Sequence, residues 1–142
     1  PSAWTPGVRY YDLREKVESK SNVLRDDAKK ILKSPTPENF KKFNEDAKGT
    51  GAYFDGQKAV FPEGSLISNA NKAMTNADKL LKQQRANGLS IEDNKLLSPL
   101  QKHKQIDAVK AEMERTMVEA GKQMSAFDER PFFAPLSRLL RK

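Results

Sequence analysis

Cysteine is absent from the 142 residues, and histidine and tryptophan occur once each, as His103 and Trp4. Without cysteine the chain can form no disulfide, no thiolate metal site and no cysteine nucleophile. A single histidine would need every other group of a metal site or a catalytic relay to come from unrelated segments. Asp107, one helical turn after His103, favours an ordinary surface pair instead. We therefore expect no enzymatic activity, no cofactor and no metal.

Long apolar runs are missing as well. No stretch approaches the roughly 20 consecutive apolar residues that a membrane-spanning helix requires, and the first residues do not show the basic-then-apolar pattern of a secretory signal. We expect a soluble chain, with peripheral membrane association as a further option. A hydrophobic content of 37% and a charged content of 32% indicate one domain with a small core under a solvated surface.

Apolar residues recur at helical spacing in four segments, and this pattern predicts an all-α fold. Thr36, Ser65 and Ser98, each followed by proline or an apolar residue, mark the starts of the second, third and fourth helices. Gly88 is expected to end the third helix in a left-handed turn. Ser90 has the form of a cap for a short turn before the fourth helix. The glycine-rich stretch 49–64 predicts a packed loop. The predicted helices are 10–32, 37–48, 66–87 and 99–127.

Short connections between successive helices favour antiparallel neighbours, so we predict an up-down antiparallel four-helix bundle over residues 10–127. Residues 1–9 are expected to form an extended N-terminal arm. Residues 128–142 are expected to form a proline-rich connector and a short basic amphipathic helix. Apolar side chains in the arm and the tail are candidates for a protein interface and for self-association. They are Trp4, Phe132, Phe133, Leu136, Leu139 and Leu140.

Positive charge is concentrated where one predicted helix ends and the next begins. The formal net charge is +7, and the segments 25–42 and 82–104 together hold 11 Lys or Arg against 5 Asp or Glu. An up-down bundle would bring both junctions to one end, which we name the basic pole and expect to bind an anionic partner. The residues of this pole are Lys29, Lys30, Lys33, Lys41, Lys42, Lys82, Arg85, Lys95, Lys102 and Lys104, with Leu89 and Ile91 at its tip.

Several partners fit such a pole. An anionic bilayer would attract the lysines and accept the two apolar residues, so a non-catalytic membrane-docking module is the leading hypothesis. Its shape would be similar to that of four-helix membrane-localisation modules in bacterial toxins and effectors. An acidic patch on a neighbouring protein would instead make the chain a structural or assembly subunit of a virion, secretion apparatus or filament.

Nucleic-acid phosphates are a third alternative, as a contact without sequence specificity. The aromatic residues nearest the pole, Phe40 and Phe43, are assigned to the core and so would not stack on bases. A plain solvated surface is the remaining interpretation, because cations favour the C-terminal ends of helices in any case.

Overall fold

The computed structural model describes residues 6–128. This part of the chain is mostly helical, as predicted, and adds one small antiparallel sheet that the sequence did not predict. Within residues 6–128 no helix combines the length and the hydropathy that a bilayer crossing demands. The elements are α1 (Pro6–Lys33), α2 (Pro37–Ala47), β1 (Tyr53–Phe54), β2 (Ala59–Val60), α3 (Leu66–Glu92), α4 (Pro99–Gln123) and a 3₁₀ turn (Ser125–Phe127).

Side-chain caps fix the starts of α2, α3 and α4. Thr36 Oγ1 accepts a hydrogen bond from the backbone N–H of Asn39 at 3.2 Å, and Ser65 Oγ accepts one from the third residue of α3 at 3.2 Å. At α4, Ser98 Oγ accepts from the N–H of Gln101, while the Gln101 side chain accepts from the N–H of Ser98. The three caps lie where the sequence predicted them.

α2 runs antiparallel to the C-terminal half of α1. The ammonium group of Lys42 lies 3.5 Å from the Asp27 carboxylate, and Lys20 donates a hydrogen bond to the backbone carbonyl of Asp46 at 3.1 Å. The end of α2 therefore lies beside the middle of α1.

α3 continues along α1 in the same direction as α2. Asn71 donates a hydrogen bond to the Ser21 hydroxyl at 3.0 Å, and Tyr10 donates one to the Asp78 carboxylate at 2.6 Å. Rising residue numbers in α3 thus pair with falling numbers in α1, which makes the two helices antiparallel.

The connection between α2 and α3 does not reverse the chain. The chain enters and leaves the β1–β2 hairpin at neighbouring positions, because the N–H of Ile67, after the hairpin, donates to the carbonyl of Thr50, before it, at 3.0 Å. After α3, α4 returns beside it and runs parallel to α1. The up-down order predicted from the sequence would place α1 and α3 parallel instead. The prediction assumed that every connection reverses the direction of the next helix. The β1–β2 hairpin does not, because its two ends lie side by side and α3 continues in the direction of α2.

Two hydrophobic cores line α1. Ser21 is 1% exposed between Val17 and Leu24, and it donates a hydrogen bond to the Val17 carbonyl. The first core is surrounded by α1, α3 and α4. The second core is surrounded by α1, α2 and the β1–β2 hairpin. The first core contains Tyr10, Leu13, Val17, Ala70, Ala73, Ala77, Leu81, Ala120 and Met124. The second contains Leu24, Ala28, Ile31, Phe43 and Ala47.

The end of α3 differs from the prediction. Gly88 does not end the helix, and Ser90 does not start a turn, because α3 continues to Glu92. A Cβ atom at position 88 would lie 3.7 Å from Val109 Cγ1, so this glycine faces α4 at close range. Contact between the two helices outweighs the roughly 1 kcal/mol that a glycine costs inside a helix.

The predicted arm and tail fall mainly outside residues 6–128. The end of the predicted arm, residues 6–9, belongs to α1. The candidate interface residues Trp4, Phe132, Phe133, Leu136, Leu139 and Leu140 lie outside the described residues.

Candidate functional site

The structure divides the predicted basic pole between opposite ends of the molecule. Arg85 donates a hydrogen bond to the Tyr11 hydroxyl at 2.8 Å, so the last third of α3 lies beside the first turns of α1. Lys33 ends α1 at the other side, about 33 Å from Tyr11 at 1.5 Å per residue. Salt screens exposed charges beyond about 8 Å at physiological ionic strength, so the two groups act separately. The prediction of one shared pole is corrected for this reason.

Five of the predicted residues lie at the end formed by α1 and α2. Lys42 contacts Asp46 at 2.7 Å and Asp27 at 3.5 Å, and Lys41 reaches Glu45 at 4.0 Å. The other lysines are exposed on the last turns of α1, where the helix carbonyls favour cations. Intramolecular partners and the helix terminus therefore account for this group. The five residues are Lys29, Lys30, Lys33, Lys41 and Lys42.

The remaining predicted residues lie on α3 and α4, at or near the connection between them. We name residues 89–104 the hairpin tip: the last turn of α3, the connection and the first turns of α4. Asn94 Oδ1 accepts a hydrogen bond from the N–H of Leu96 at 2.9 Å, and Lys102 Nζ donates one to the Glu92 carbonyl at 2.8 Å. These bonds and the Ser98 cap hold the connection in a short, defined turn.

Large apolar side chains are exposed at the hairpin tip. Leu96 is 93% exposed, Leu100 64% and Leu89 62%. Leu100 shares the helical spacing of the inward-facing residues of α4, but α1 begins beside Met117 and does not extend as far as the tip. The first turns of α4 therefore have only the end of α3 to pack against. Sequence reasoning identified Leu89 and missed Leu96 and Leu100.

Basic residues surround these leucines. Over 82–104 five basic residues face two acidic ones, which gives a formal net charge of +3. Lys95 and Lys104 are exposed, while Lys102 and Ile91 are partly buried. A surface that combines exposed leucines with ammonium groups suits a partner that is anionic outside and apolar beneath. The charged residues are Lys82, Arg85, Lys95, Lys102 and Lys104, with Glu92 and Asp93 opposing them.

An open apolar groove of about 270 Å³ lies next to the tip, between α3 and α4. Val109 is 7% exposed on its floor, and Ile106 and Met113 are half-buried beside it. Arg85 and Lys110 supply positive charge at its edges. The groove can hold an apolar side chain.

The single histidine of the sequence lies at the hairpin tip and is paired with an acid. His103 Nε2 lies 3.3 Å from Asp107 Oδ2, with side chains 73% and 57% exposed, which is the surface pair expected from the sequence. Among residues 6–128 no group of three His, Asp or Glu side chains is arranged to hold a metal ion.

One cluster of acids was missed by the sequence interpretation. Asp27 is buried, and its carboxyl group meets that of Asp46 across α1 and α2. Burial raises the pKa of Asp27, and the Asp46 carboxylate raises it further. The hydrogen bond from Asp27, followed by that from Lys42, lowers the pKa of Asp46. Because the two acids lie on different helices, no spacing within the sequence could have paired them.

A second, partly buried network ties α1 to α3. The Arg14 guanidinium binds both oxygens of Asp78, with Nη2 to Oδ2 at 2.6 Å and Nε to Oδ1 at 3.1 Å. The hydrogen bond from Arg14 lowers the pKa of Asp78, and that from Tyr10 adds to the effect. Desolvation and the hydrogen bond to Asp78 raise the pKa of Tyr10. These groups satisfy one another, so the network serves the fold.

Comparisons with protein-family models, with curated proteins and with solved structures find no match. The interpretation of the hairpin tip and the groove therefore depends on their own geometry.

Proposed function

We propose that the chain is a non-catalytic helical module that docks on an anionic bilayer through its hairpin tip. The observation that carries the proposal is Leu96, which is 93% exposed at the outermost turn of the hairpin and is preceded by the exposed Lys95. In water, an apolar side chain exposed at that position contributes no free energy of burial to the fold. A lipid headgroup region gives it an apolar environment and gives the lysine an anionic partner.

The balance of energies favours lipid over a purely polar surface. Each lysine near an anionic membrane contributes about 1 kcal/mol. Full burial of a leucine side chain contributes about 1.5–3 kcal/mol, and partial insertion a part of that. Charge and apolar insertion are thus of similar size, and the tip supplies both. Nucleic acid would use the lysines but not the leucines, and residues 82–104 contain no Phe, Tyr or Trp for stacking on bases.

The shape of the molecule supports the same proposal. The last part of α3 and the first part of α4 extend past the start of α1, which lies beside Met117. The tip can therefore meet a flat surface before α1 or α2 does. The lysines at the α1–α2 end would then remain in solution, at the far side of the molecule.

Co-sedimentation with vesicles tests the proposal. The chain should bind vesicles of phosphatidylserine and phosphatidylcholine, and should bind phosphatidylcholine alone much less. Lys95→Glu with Lys104→Glu should weaken binding roughly 30-fold or more, since two lysine contributions of about 1 kcal/mol are lost and repulsion is added. The matched control is Lys29→Glu with Lys33→Glu, which changes the net charge equally at the other end and should change binding less than about threefold.

A second pair of variants separates apolar insertion from charge. Leu96→Ala should weaken binding about 5- to 30-fold, and Leu32→Ala, at a leucine 56% exposed near the other basic group, should not. Equal binding to the two vesicle types would end the proposal. Equal losses in the tip and control variants would show that net charge alone, without a defined docking surface, explains the binding.

A further inference from the structure

The open groove between α3 and α4 continues the surface on which α1 packs. An added Cβ at Gly7, in the first turn of α1, would lie 3.7 Å from Met117 Sδ, and α1 runs from there along the rest of α4. Toward the hairpin tip α3 and α4 stay close to each other, since a Cβ at Gly88 would lie 3.7 Å from Val109 Cγ1. The same pair of helices is thus covered by a helix on one side of Met117 and is open on the other.

The open part of the groove has the length of two helical turns. It extends from Arg85 to Glu92 along α3 and from Ile106 to Met113 along α4, about 10 Å in each helix at 1.5 Å per residue. The buried Val109 forms its floor. A volume of about 270 Å³ accommodates the side chains along one ridge of a helix, while the backbone of that helix stays outside.

The charges at the rim determine which kind of helix fits. Arg85 and Lys110 are exposed at the edges of the groove, and neither forms a salt bridge within residues 6–128. Arg85 donates a hydrogen bond to the uncharged Tyr11 hydroxyl, which does not neutralise it. Glu92 also lines the groove, at the end next to the tip, where it is exposed. An apolar stripe flanked by acids is therefore complementary to this rim, and a stripe flanked by bases is not.

We propose that the groove is the docking site for an amphipathic helix of another protein, with acidic residues on both sides of its apolar stripe. Such a helix would lie in line with α1 and would give α3 and α4 a third helix beside the tip. Its apolar side chains would contact Val109 and its neighbours, and its acidic side chains would face Arg85 and Lys110. The proposal does not depend on membrane docking, because these contact residues lie outside the hairpin tip.

Fluorescence anisotropy with two labelled peptides tests the proposal in buffer without vesicles. Both peptides are designed helices of about 15 residues with the same stripe of leucines, one flanked by glutamates and the other by lysines. The Glu-flanked peptide should bind the full chain about tenfold more tightly than the Lys-flanked peptide, because only the first is complementary to the rim. Equal affinities, or no binding of the Glu-flanked peptide at millimolar concentration, would overturn the proposal.

Reversal of the rim charges gives a sharper result. Arg85→Glu with Lys110→Glu should make the chain prefer the Lys-flanked peptide, since the complementary charges are exchanged. The matched control is Lys29→Glu with Lys33→Glu, which changes the net charge equally at the other end of the molecule and should keep the preference for glutamate. The same loss of preference in both double variants would show that net charge, and not the groove, distinguishes the peptides.

The apolar part of the contact has its own pair of variants. Ile106→Asp places a charge in the groove and should weaken binding of the Glu-flanked peptide about tenfold or more. Leu100→Asp lies on the same helix, at a side chain that is 64% exposed and does not line the groove, and should change binding less than about threefold. Circular dichroism checks that both variants keep their helicity. Equal effects of the two substitutions would place the peptide outside the groove.

Hydrogen exchange locates the peptide without any substitution. Backbone amides of 84–92 and 106–113 should exchange several-fold more slowly when the Glu-flanked peptide is bound, and those of 24–31, in the other core, should not change. Binding without protection of 84–92 and 106–113 would refute the proposed site. Protection of these segments by anionic vesicles but not by the peptide would assign the groove to a lipid chain, and protection that rises with protein concentration alone would assign it to a second copy.

Discussion

Replacement of Gly51 by alanine should destabilise the protein by more than its backbone angle alone explains. Gly51 has a φ of 86°, in the left-handed region, and a Cβ there would lie 2.6 Å from Ser65 Cβ. Ser65 cannot easily move, because it caps α3 and its Oγ donates to the Pro62 carbonyl at 2.6 Å. An alanine at 51 must therefore displace the start of α3 or the segment after α2.

The expected magnitude combines two contributions. A left-handed conformation costs a residue with a Cβ about 1–2 kcal/mol. Forcing an extra carbon into a closely packed place costs about 1–3 kcal/mol. The smaller conformational freedom of alanine in the unfolded chain returns about 0.4–1 kcal/mol. We therefore expect Gly51→Ala to lower the free energy of unfolding by about 1–4.5 kcal/mol, with a central value of about 3 kcal/mol.

Gly49 offers a matched control. Its φ is 78°, yet a Cβ built there meets no heavy atom within 4 Å. Gly49→Ala should therefore lose only the backbone contribution, about 1 kcal/mol. Urea unfolding followed by circular dichroism measures both variants, and their denaturant slopes should match that of the unmodified chain. Equal losses at the two glycines would refute the close approach of Gly51 to the cap of α3.

Two further predictions concern pH. Asp27→Asn should stabilise the protein more at about pH 7 than at about pH 3. The pKa of Asp27 is raised in the folded protein, so folding stability is lost as the pH rises and the buried carboxyl group ionises. Asparagine stays neutral at both pH values and can still donate a hydrogen bond to Asp46. A difference in unfolding free energy that does not vary with pH would contradict this. Asp78→Asn should cost about 1 kcal/mol at about pH 7 and less at about pH 3. The hydrogen bond from Arg14 lowers the pKa of Asp78 in the folded protein. The ionised Asp78 therefore stabilises the fold at any pH above the pKa of this carboxyl group in the unfolded chain. That stabilisation is lost as the pH falls through the lower pKa of the folded protein. Urea titrations at both pH values measure it, and a larger cost at the acidic pH would refute the assignment.

Local signals in the sequence predicted the helices well. The caps at Thr36, Ser65 and Ser98 and the apolar spacing of α1 are properties of neighbouring residues, and the structure has them where they were expected. Gly88 was misinterpreted because its helical state depends on Val109, which lies on another helix. Secondary structure was thus predictable except where a tertiary contact outweighed a local preference.

The arrangement of the helices was not predictable in the same way. The direction of α3 depends on the hydrogen bond between Ile67 and Thr50, which joins the two ends of the β1–β2 hairpin. Each strand of this hairpin has two residues and so leaves almost no pattern in the sequence. The prediction of one basic pole required α1 and α3 to be parallel. Because the two helices are antiparallel, the basic residues lie in two separate groups. Leu89 and Ile91 do lie at the hairpin tip, because their place next to the connection needed no long-range information. The exposure of Leu96 and Leu100 depends on where α1 begins, and so it could be seen only in the fold.

The sharing of α1 between two cores has a kinetic consequence. α1 and α2 are joined by three residues, and α3 and α4 by a short connection, so each pair can form as a local helical hairpin. The bonds that unite the pairs span long stretches of chain, such as 68 residues between Tyr10 and Asp78 and 50 between Ser21 and Asn71. We therefore expect the docking of two preformed helical hairpins to carry the loop-closure entropy and to limit the folding rate. After folding, we expect the α2 half to open as a unit of its own while the α3–α4 half stays closed, so that the two halves of α1 differ in lifetime.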